Sequence, residues 1–264
     1  MNVLIACEES QAECIAFRER GHNAFSCDIQ ECSGGHPEWH IQGDVIPLLN
    51  GNCHFVTAGG ADVMINGKWD LIICHPPCTY LTCAGNRCYS LRCTPAEKVI
   101  ARMKKREEAI VFFLRLYFAD CDHIAVENPK GRISSVFEPP TQYVDPYMFA
   151  KSEADSENYV SKRTGLWLKG LPPLITNTLL KPEPYAGYRI QRTTGKLKAN
   201  TWTERQKGQD RAKIRSKTFP GIARAMAEQW IPYIESGIRC VQGVITETRP
   251  KRLILRDRQI RFFD

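Results

Sequence analysis

The chain has 264 residues, 43% of them apolar, which favours one core domain with an insertion over two full domains. The first apolar run, residues 3–6, is short and is followed by Glu8 and Glu9, so we expect neither a secretory signal nor a membrane-spanning segment. We therefore expect the twelve cysteines to be reduced thiols, and the net charge of +7 to favour an anionic partner.

The opening of the chain predicts a strand at residues 3–6, a helix over 11–20 that ends at Gly21, and a second strand at 24–27. Asp28 ends the second strand, where nucleotide-binding sheets place a carboxylate on ribose hydroxyls. Asp44 follows a glycine and has two compatible interpretations. It can accept a hydrogen bond from an adenine amino group, or it can cap the helix that follows.

The middle of the chain alternates between strand and helix patterns. Residues 52–67 predict a hairpin inserted in the sheet, 69–73 a core strand, 94–119 a long helix that begins with a capping box, and 123–126 the next core strand. The predicted apolar face of the long helix is formed by Val99, Met103, Ile110, Phe113, Leu114 and Tyr117. This alternation predicts an α/β fold with a parallel, doubly wound sheet that binds ligands at the carboxyl ends of its strands.

Two short motifs directly follow the two core strands. They are Cys-His-Pro-Pro-Cys at 74–78 and Val-Glu-Asn-Pro at 126–129. Carbon-5 of cytosine becomes a methyl acceptor only after a thiolate adds to carbon-6 and a hydrogen-bonding carboxyl stabilises the charge on ring nitrogen-3. Cys78 and Glu127 fit these two roles at one edge of the sheet.

The motifs resemble those of the DNA (cytosine-5) methyltransferases, enzymes that use S-adenosyl-L-methionine and have a Rossmann-like, class I methyltransferase sheet. The resemblance rests on Pro-Pro-Cys at 76–78, Glu-Asn at 127–128, the acidic residues Asp28 and Asp44, and a closing helix that contains Gly221. The chain is similar in particular to small members from phages and prophages. The resemblance implies S-adenosyl-L-methionine as the cofactor, DNA as the partner, and a cytoplasmic location in a bacterial or phage-infected cell.

The resemblance also implies roles for individual residues. Cys78 would be the nucleophile, Glu127 would contact nitrogen-3, Asn128 would brace the loop, and Arg163 would stabilise the substrate. The implied cofactor-binding residues are Cys7, Glu8, Asp28, Asp44, Pro76 and Gly221. The chain departs from the family in its first loop, which lacks the glycine-rich pattern, and in the Cys-His pair at 74–75, where the family has Gly-Gly.

Charge divides the chain into four parts. Residues 1–180, the predicted catalytic domain, carry a net charge of −4, and the insertion at 181–217 holds eleven Lys and Arg against three acids. A helix at 218–238 is predicted to return to the catalytic domain, and the tail at 239–264 has a net charge of +4. We expect the insertion and the tail to contact DNA, although a solvated basic loop has the same composition. Three aromatic residues of the insertion are expected either to stack on bases or to form a minor core, namely Tyr185, Tyr188 and Trp202.

Two cysteine patterns invite a metal interpretation. Cys27, Cys32, His36 and His40 are spaced loosely like a zinc knuckle, whereas the five-residue spacing from Cys78 to Cys93 matches no common metal site. Our prediction includes no metal.

Two other functions fit parts of the sequence. The first is methylation of an adenine or cytosine amino group, because Pro-Pro motifs follow the same strand in such enzymes, which need no thiol. The second is a non-catalytic protein that binds nucleic acid on a methyltransferase scaffold, since the first loop departs from the family pattern.

Overall fold

The computed structural model describes residues 1–184, 187–191, 194–200 and 218–237, together with residues 202, 206, 208 and 216. The predicted tail at 239–264 and part of the insertion at 181–217, including Tyr185, therefore lie outside the described residues.

The described strands form one large sheet and two hairpins. In chain order they are β1 (Asn2–Ala6), β2 (Asn23–Asp28), β3 (His40–Gln42), β4 (Cys53–Val56), β5 (Asp62–Ile65), β6 (Leu71–Cys74), β7 (Ile124–Asn128), β8 (Gln142–Val144), β9 (Thr164–Lys169), β10 (Tyr188–Ile190) and β11 (Leu197–Ala199). Seven of them form the central sheet in the order β3-β2-β1-β6-β7-β9-β8. The first five strands of that order are parallel, and β9 runs antiparallel to both of its neighbours. The predicted α/β fold with a mostly parallel central sheet is confirmed, and the sheet is compatible with a Rossmann-like fold.

Helices cover both faces of the sheet. They are α1 (Ala12–Arg18), α2 (Ala96–Tyr117), α3 (Ile133–Val136) and α4 (Pro220–Glu235), with 3-10 helices at Pro37–Trp39, Ile46–Leu48, Cys83–Tyr89 and Pro146–Phe149. Side chains alternate between the two faces of a strand, so each strand contributes to two cores. Ala125 of β7 lies in the core formed with α1 and α4, whereas its neighbour Val126 lies in the core formed with α2.

The first face is covered by two helices that pack against each other. Phe17 of α1 and Met226 and Trp230 of α4 are fully buried there, and the indole nitrogen of Trp230 donates to the Pro172 carbonyl at 3.0 Å. Pro232 lies inside α4 near its end, on an exposed side. The predicted closing helix is thus present and returns to the sheet.

Several predictions about single elements need correction. The hairpin at 52–67 exists as β4 and β5, but these strands pair only with each other and lie outside the central sheet. Its Phe55 packs edge-on against Phe25 of β2 at 5.1 Å between ring centroids, so side-chain packing rather than strand pairing attaches the hairpin. The long helix begins at Ala96 with Pro95 as its N-cap, one residue after the N-cap that the capping box at residue 94 predicted. Met103, on its expected apolar face, is 50% exposed.

Within the described residues, no helix is both long enough and apolar enough to span a membrane.

Candidate active site

The carboxyl ends of β6 and β7 lie side by side in the middle of the sheet. The two strands are parallel, and Cys74 at the end of β6 is paired with Val126 of β7. The chain continues past β6 through His75, whose amide donates to the Ala6 carbonyl at 2.9 Å. Residues that follow β6 and β7 are thereby brought to one edge.

The loops after these two strands are fastened together. Asn128 donates from Nδ2 to the Pro76 carbonyl at 3.0 Å, and the Arg132 amide donates to the Leu81 carbonyl at 2.7 Å. Gly131 forms a bridge with Thr82, and a β-carbon at Gly131 would lie 2.0 Å from the Leu81 carbonyl oxygen. Only glycine permits this approach.

Cys78 lies on a turn within the first of these loops. Its carbonyl accepts hydrogen bonds from the amides of Leu81 at 3.0 Å and Thr82 at 3.1 Å. Cys78 is half-buried, whereas Cys74 at the end of β6 is fully buried. The structure therefore places the predicted nucleophile at the surface of the site rather than in the core.

Glu127 belongs to a line of ionisable side chains that crosses the first face of the sheet. His75 comes two residues after Ile73 and points to the same face as Glu127. Its Nε2 lies 3.0 Å from an oxygen of Glu13 in α1, and its Nδ1 lies 3.7 Å from an oxygen of Glu127. The hydroxyl of Thr164 in β9 donates to the other Glu127 oxygen.

These contacts set the charge state of the line. Burial alone disfavours the charged form of His75, but the carboxylates of Glu13 and Glu127 outweigh it and raise the His75 pKa well above its usual value. Burial also disfavours ionised Glu127, yet His75, Lys162 and Thr164 together lower the Glu127 pKa. These shifts favour a protonated imidazole between two carboxylates.

Glu8 in the first loop extends this line of ionisable side chains to the start of α1. The two oxygens of the Glu8 side chain accept hydrogen bonds from the amides of Glu13 at 2.8 Å and Cys14 at 3.4 Å, at the start of α1. Burial and the negative charge of Glu13 raise the Glu8 pKa well above its usual value. Burial likewise opposes ionisation of Glu13, but its contacts with His75 and Glu8 lower the Glu13 pKa to about 2. The predicted cofactor residue Glu8 thus uses its carboxyl group inside the protein, to cap a helix.

The other predicted cofactor residues of the first half lie near the carboxyl ends of the adjacent strands β1, β2 and β3. Cys7 has a positive φ of 62°, and its amide donates to the Cys27 carbonyl at 2.7 Å. Burial raises the Cys7 pKa, and the charges of Asp28 and Asp44 raise it further, so both carboxylates lie within electrostatic range of this thiol. Asp44 also accepts from the Ile46 amide at 3.0 Å, which is the local capping contact weighed as one of its two interpretations.

The remaining predicted site residues lie in different surroundings. Arg163 is exposed, with its guanidinium 4.6 Å from the centre of the Tyr143 ring. Lys162, two residues before Thr164 and so on the same face, is the cation whose charge acts on Glu127. The Gly221 amide donates to Asn158 at 2.7 Å, and a β-carbon at Gly221 would lie 2.8 Å from the same oxygen. Gly221 is therefore required for close packing of α4.

The residues spaced like a zinc knuckle do not converge. The two ring nitrogens of His40 contact the Ser26 hydroxyl and the Gln30 carbonyl, each at 2.9 Å, and the His36 ring stacks on Trp39. Cys27 is buried beside the Gly43 carbonyl. In the part of the chain that the structure describes, no group of three or more His, Cys, Asp or Glu residues is arranged to hold a metal ion.

A basic surface follows directly after Cys78, and the sequence analysis did not single it out. Residues 79–106 hold seven Lys and Arg against one acid. Two of the arginines are fixed on tyrosine rings. Arg106 lies 3.2 Å from the centre of the Tyr89 ring, and Arg102 lies 5.0 Å from that of Tyr80. The exposed cations of this basic surface are Arg87, Arg92, Lys98, Lys104 and Lys105.

The predicted basic insertion is described only in part. Tyr188 of β10 is 56% exposed, whereas the Trp202 ring packs against Phe219 at 5.3 Å, as expected of a minor core.

No family model matches this chain, and neither does any curated protein. The site combines the half-buried Cys78 thiol, the Glu127 carboxyl group with His75 and Lys162 near it, the carboxyl groups of Asp28 and Asp44 at the ends of β2 and β3, and the basic residues at 79–106 that follow Cys78 in sequence.

Replacing Gly131 with alanine should separate the two fastened loops. The added methyl group would collide with the Leu81 carbonyl, and we expect a decrease of about 1–3 kcal/mol in the free energy of unfolding. Hydrogen exchange at the Arg132 amide should accelerate while exchange in β1 and β6 stays slow. Gly43→Ala is the matched control, because a β-carbon there meets no atom within 4 Å. Unchanged exchange at Arg132 would contradict the close approach.

Proposed function

We propose that this protein transfers a methyl group from S-adenosyl-L-methionine to carbon-5 of cytosine in DNA through a covalent adduct with Cys78. The observation that carries the proposal is the position of Cys78 and Glu127. The half-buried Cys78 follows β6 and Glu127 lies near the end of β7, and the loops after these adjacent parallel strands are fastened by Asn128 and Gly131.

The order of the strands supports a class I methyltransferase sheet. When the separate hairpin β4–β5 is set aside, the strands of the central sheet follow the order 3-2-1-4-5-7-6, with the seventh strand antiparallel. This order resembles that of the class I methyltransferases that the sequence motifs suggest. In such a sheet the ligand lies at the carboxyl edge, which is where Asp28, Asp44 and Cys78 lie.

The residues at the ends of β1 and β2 fit the cofactor. Asp28 ends β2, where a carboxylate can bind ribose hydroxyls, and the exposed Asp44 lies close enough for its charge to act on the Cys7 thiol. When bound, S-adenosyl-L-methionine supplies an electrophilic methyl group. In the first loop, Cys7 has a left-handed backbone conformation.

Cys78 and Glu127 would act on the base. The Cys78 thiolate forms a bond to carbon-6, and the electron pair of the 5,6 double bond makes carbon-5 nucleophilic while charge builds up at nitrogen-3. Glu127, once it has gained a proton, stabilises that charge by donating a hydrogen bond to nitrogen-3. After carbon-5 has gained the methyl group, it loses its proton to a base, the double bond re-forms, and the thiolate leaves.

The basic surface supports a polyanionic substrate. Its exposed cations begin nine residues after Cys78, and Lys130 and Arg132 extend it on the loop after β7. Such a surface can hold the phosphates that flank a base extruded into the site. The insertion at 181–217 and the tail at 239–264 stay predicted DNA contacts, and the cytoplasm of a bacterial or phage-infected cell stays the expected location.

Methylation of an amino group is the alternative that product analysis separates. Such sites use an aromatic residue after the prolines to stack on the target base. Here Tyr80 is half-buried between the cations Arg102 and Lys105, which favours a structural role for its ring.

Cys78→Ala should abolish formation of 5-methylcytosine in a DNA substrate, because the covalent mechanism requires the Cys78 sulfur to add to carbon-6. Binding of S-adenosyl-L-methionine, measured by calorimetry, should persist. Cys53→Ala is the matched control, since that cysteine lies in the hairpin and away from the sheet edge. Nucleoside analysis by mass spectrometry checks the product. Wild-type levels of 5-methylcytosine from Cys78→Ala would refute the covalent mechanism, and N-methylated bases would favour the alternative.

Replacing Arg87, Arg92 and Lys98 together with alanine should weaken DNA binding and its salt dependence. The slope of log affinity against log salt should decrease by about 0.9 for each phosphate that the variant no longer neutralises. A triple alanine variant at the exposed residues Lys68, Arg115 and Lys151 removes the same charge elsewhere and should keep the wild-type slope. Equal slopes for the two variants would exclude the basic surface as the DNA-binding face.

A further inference from the structure

The buried line of ionisable residues on the first face of the sheet has a geometry that a structural role alone does not require. Glu13, His75 and Glu127 come from α1, the loop after β6, and β7. They join the start of the first helix to the carboxyl group proposed to contact the base. His75 stands where the sequence departs from the methyltransferase pattern, so the resemblance assigns it no role.

We propose that His75 is a positioning residue and proton reservoir for Glu127, anchored on one side by Glu13 and facing Glu127 on the other. The proposal rests on the proposed function and deepens it, because it names the source of the proton that nitrogen-3 receives. Its geometric basis is the pair of contacts at opposite ring nitrogens, 3.0 Å to Glu13 and 3.7 Å to Glu127.

The surroundings of His75 favour this role over that of a simple ion pair. A small cavity of about 20 Å³ adjoins the three residues. The charged or titratable groups that face His75 are Glu13 and Glu8 from α1 and its preceding loop, and Glu127 from β7. Lys162 borders the same cavity and acts on Glu127, whereas α4 contributes the apolar side chains of Ile222 and Met226.

The proton transfer balances without any added reagent. As the Cys78 sulfur bonds to carbon-6, the proton on His75 Nδ1 passes to Glu127, and a carboxyl proton of Glu127 passes to nitrogen-3. His75 is then neutral and nitrogen-3 is protonated. When the thiolate leaves, nitrogen-3 returns a proton to Glu127 and His75 regains its charge. The 3.7 Å separation must shorten during this step, as catalytic contacts often do once substrate is bound.

The sign of the pH dependence follows from these charges. In the wild-type protein, single-turnover methylation should stay constant through neutral pH and decline only as pH rises through the elevated pKa of His75. Without the imidazolium, the Glu127 pKa should rise, because a positive charge that favours its ionised form is removed. A His75→Gln variant should then depend on direct protonation of Glu127, and its rate should increase as pH falls.

The experiment is the pH profile of single-turnover 5-methylcytosine formation for the wild type, His75→Gln, Glu13→Gln and the control His54→Gln. We expect His75→Gln to be about 10²-fold slower at neutral pH and to recover toward acid pH. Glu13→Gln should keep the wild-type shape with its alkaline decline moved to lower pH, because His75 loses a carboxylate that favours its protonation. His54 lies exposed on the separate hairpin, so its variant should match the wild type.

Two further kinds of measurement report the charge of His75 and the folding of each variant. The ¹⁵N chemical shifts of the His75 ring should report an imidazolium through neutral pH in the wild type, and its titration should move to lower pH in Glu127→Gln. Circular dichroism and cofactor calorimetry check that each variant is folded. A His75→Gln profile parallel to that of the wild type would overturn the reservoir role and leave the proposed function standing. Absence of any product from the wild-type protein would refute the proposed function, and the inference with it.

Discussion

The parallel pairing of β6 with β7 is the constraint on which the rest of the site depends. Because the two strands run in the same direction and end at the same edge, the chain that leaves each of them must enter the same space. Asn128 and Gly131 then hold the two loops together. Asn128 does so through a side-chain hydrogen bond, and Gly131 does so because it has no side chain to separate the two backbones. Thiol and carboxyl are about fifty residues apart in sequence, and this pairing brings the strands that precede them to one edge of the sheet.

The same two strands contribute both apolar residues to the core and ionisable residues to the site. Residues up to Ile73 and Ala125 are fully buried and apolar, and the next residue on the same face of each strand is ionisable, His75 or Glu127. Buried charges are costly unless they are paired and hydrogen-bonded. Glu13 and Thr164 supply that pairing from α1 and β9, so α1 is tied to the sheet by ionic as well as apolar contacts.

Much of this architecture could be predicted from the sequence, and the parts that could not have identifiable causes. Long apolar runs and glycine signals placed β1, α1, β2, α2, β7 and α4, since local pattern dominates there. The three-residue strands β3 and β8 went unpredicted because so short a segment carries little pattern, and their pairing with β2 and β9 decides their structure.

Sequence position indicated the motif residues, but it could not show that Glu8 turns inward to cap α1. Just before β9, the resemblance indicated Arg163 as the substrate-stabilising residue. The alternation of side chains along a strand instead directs Lys162 toward Glu127. That alternation, read back from Thr164, was the signal available in the sequence for finding Lys162.

The central claim is a transient bond between the Cys78 sulfur and carbon-6 of cytosine. It is tested most directly with DNA that contains 5-fluorocytosine, from which the fluorine cannot leave as the carbon-5 proton does, so that the methylated adduct persists. After incubation with S-adenosyl-L-methionine and proteolysis, mass spectrometry should find one modified peptide, linked to DNA through Cys78. An adduct on another cysteine, or methyl transfer to ordinary cytosine carbon-5 with no trapped peptide, would contradict the account.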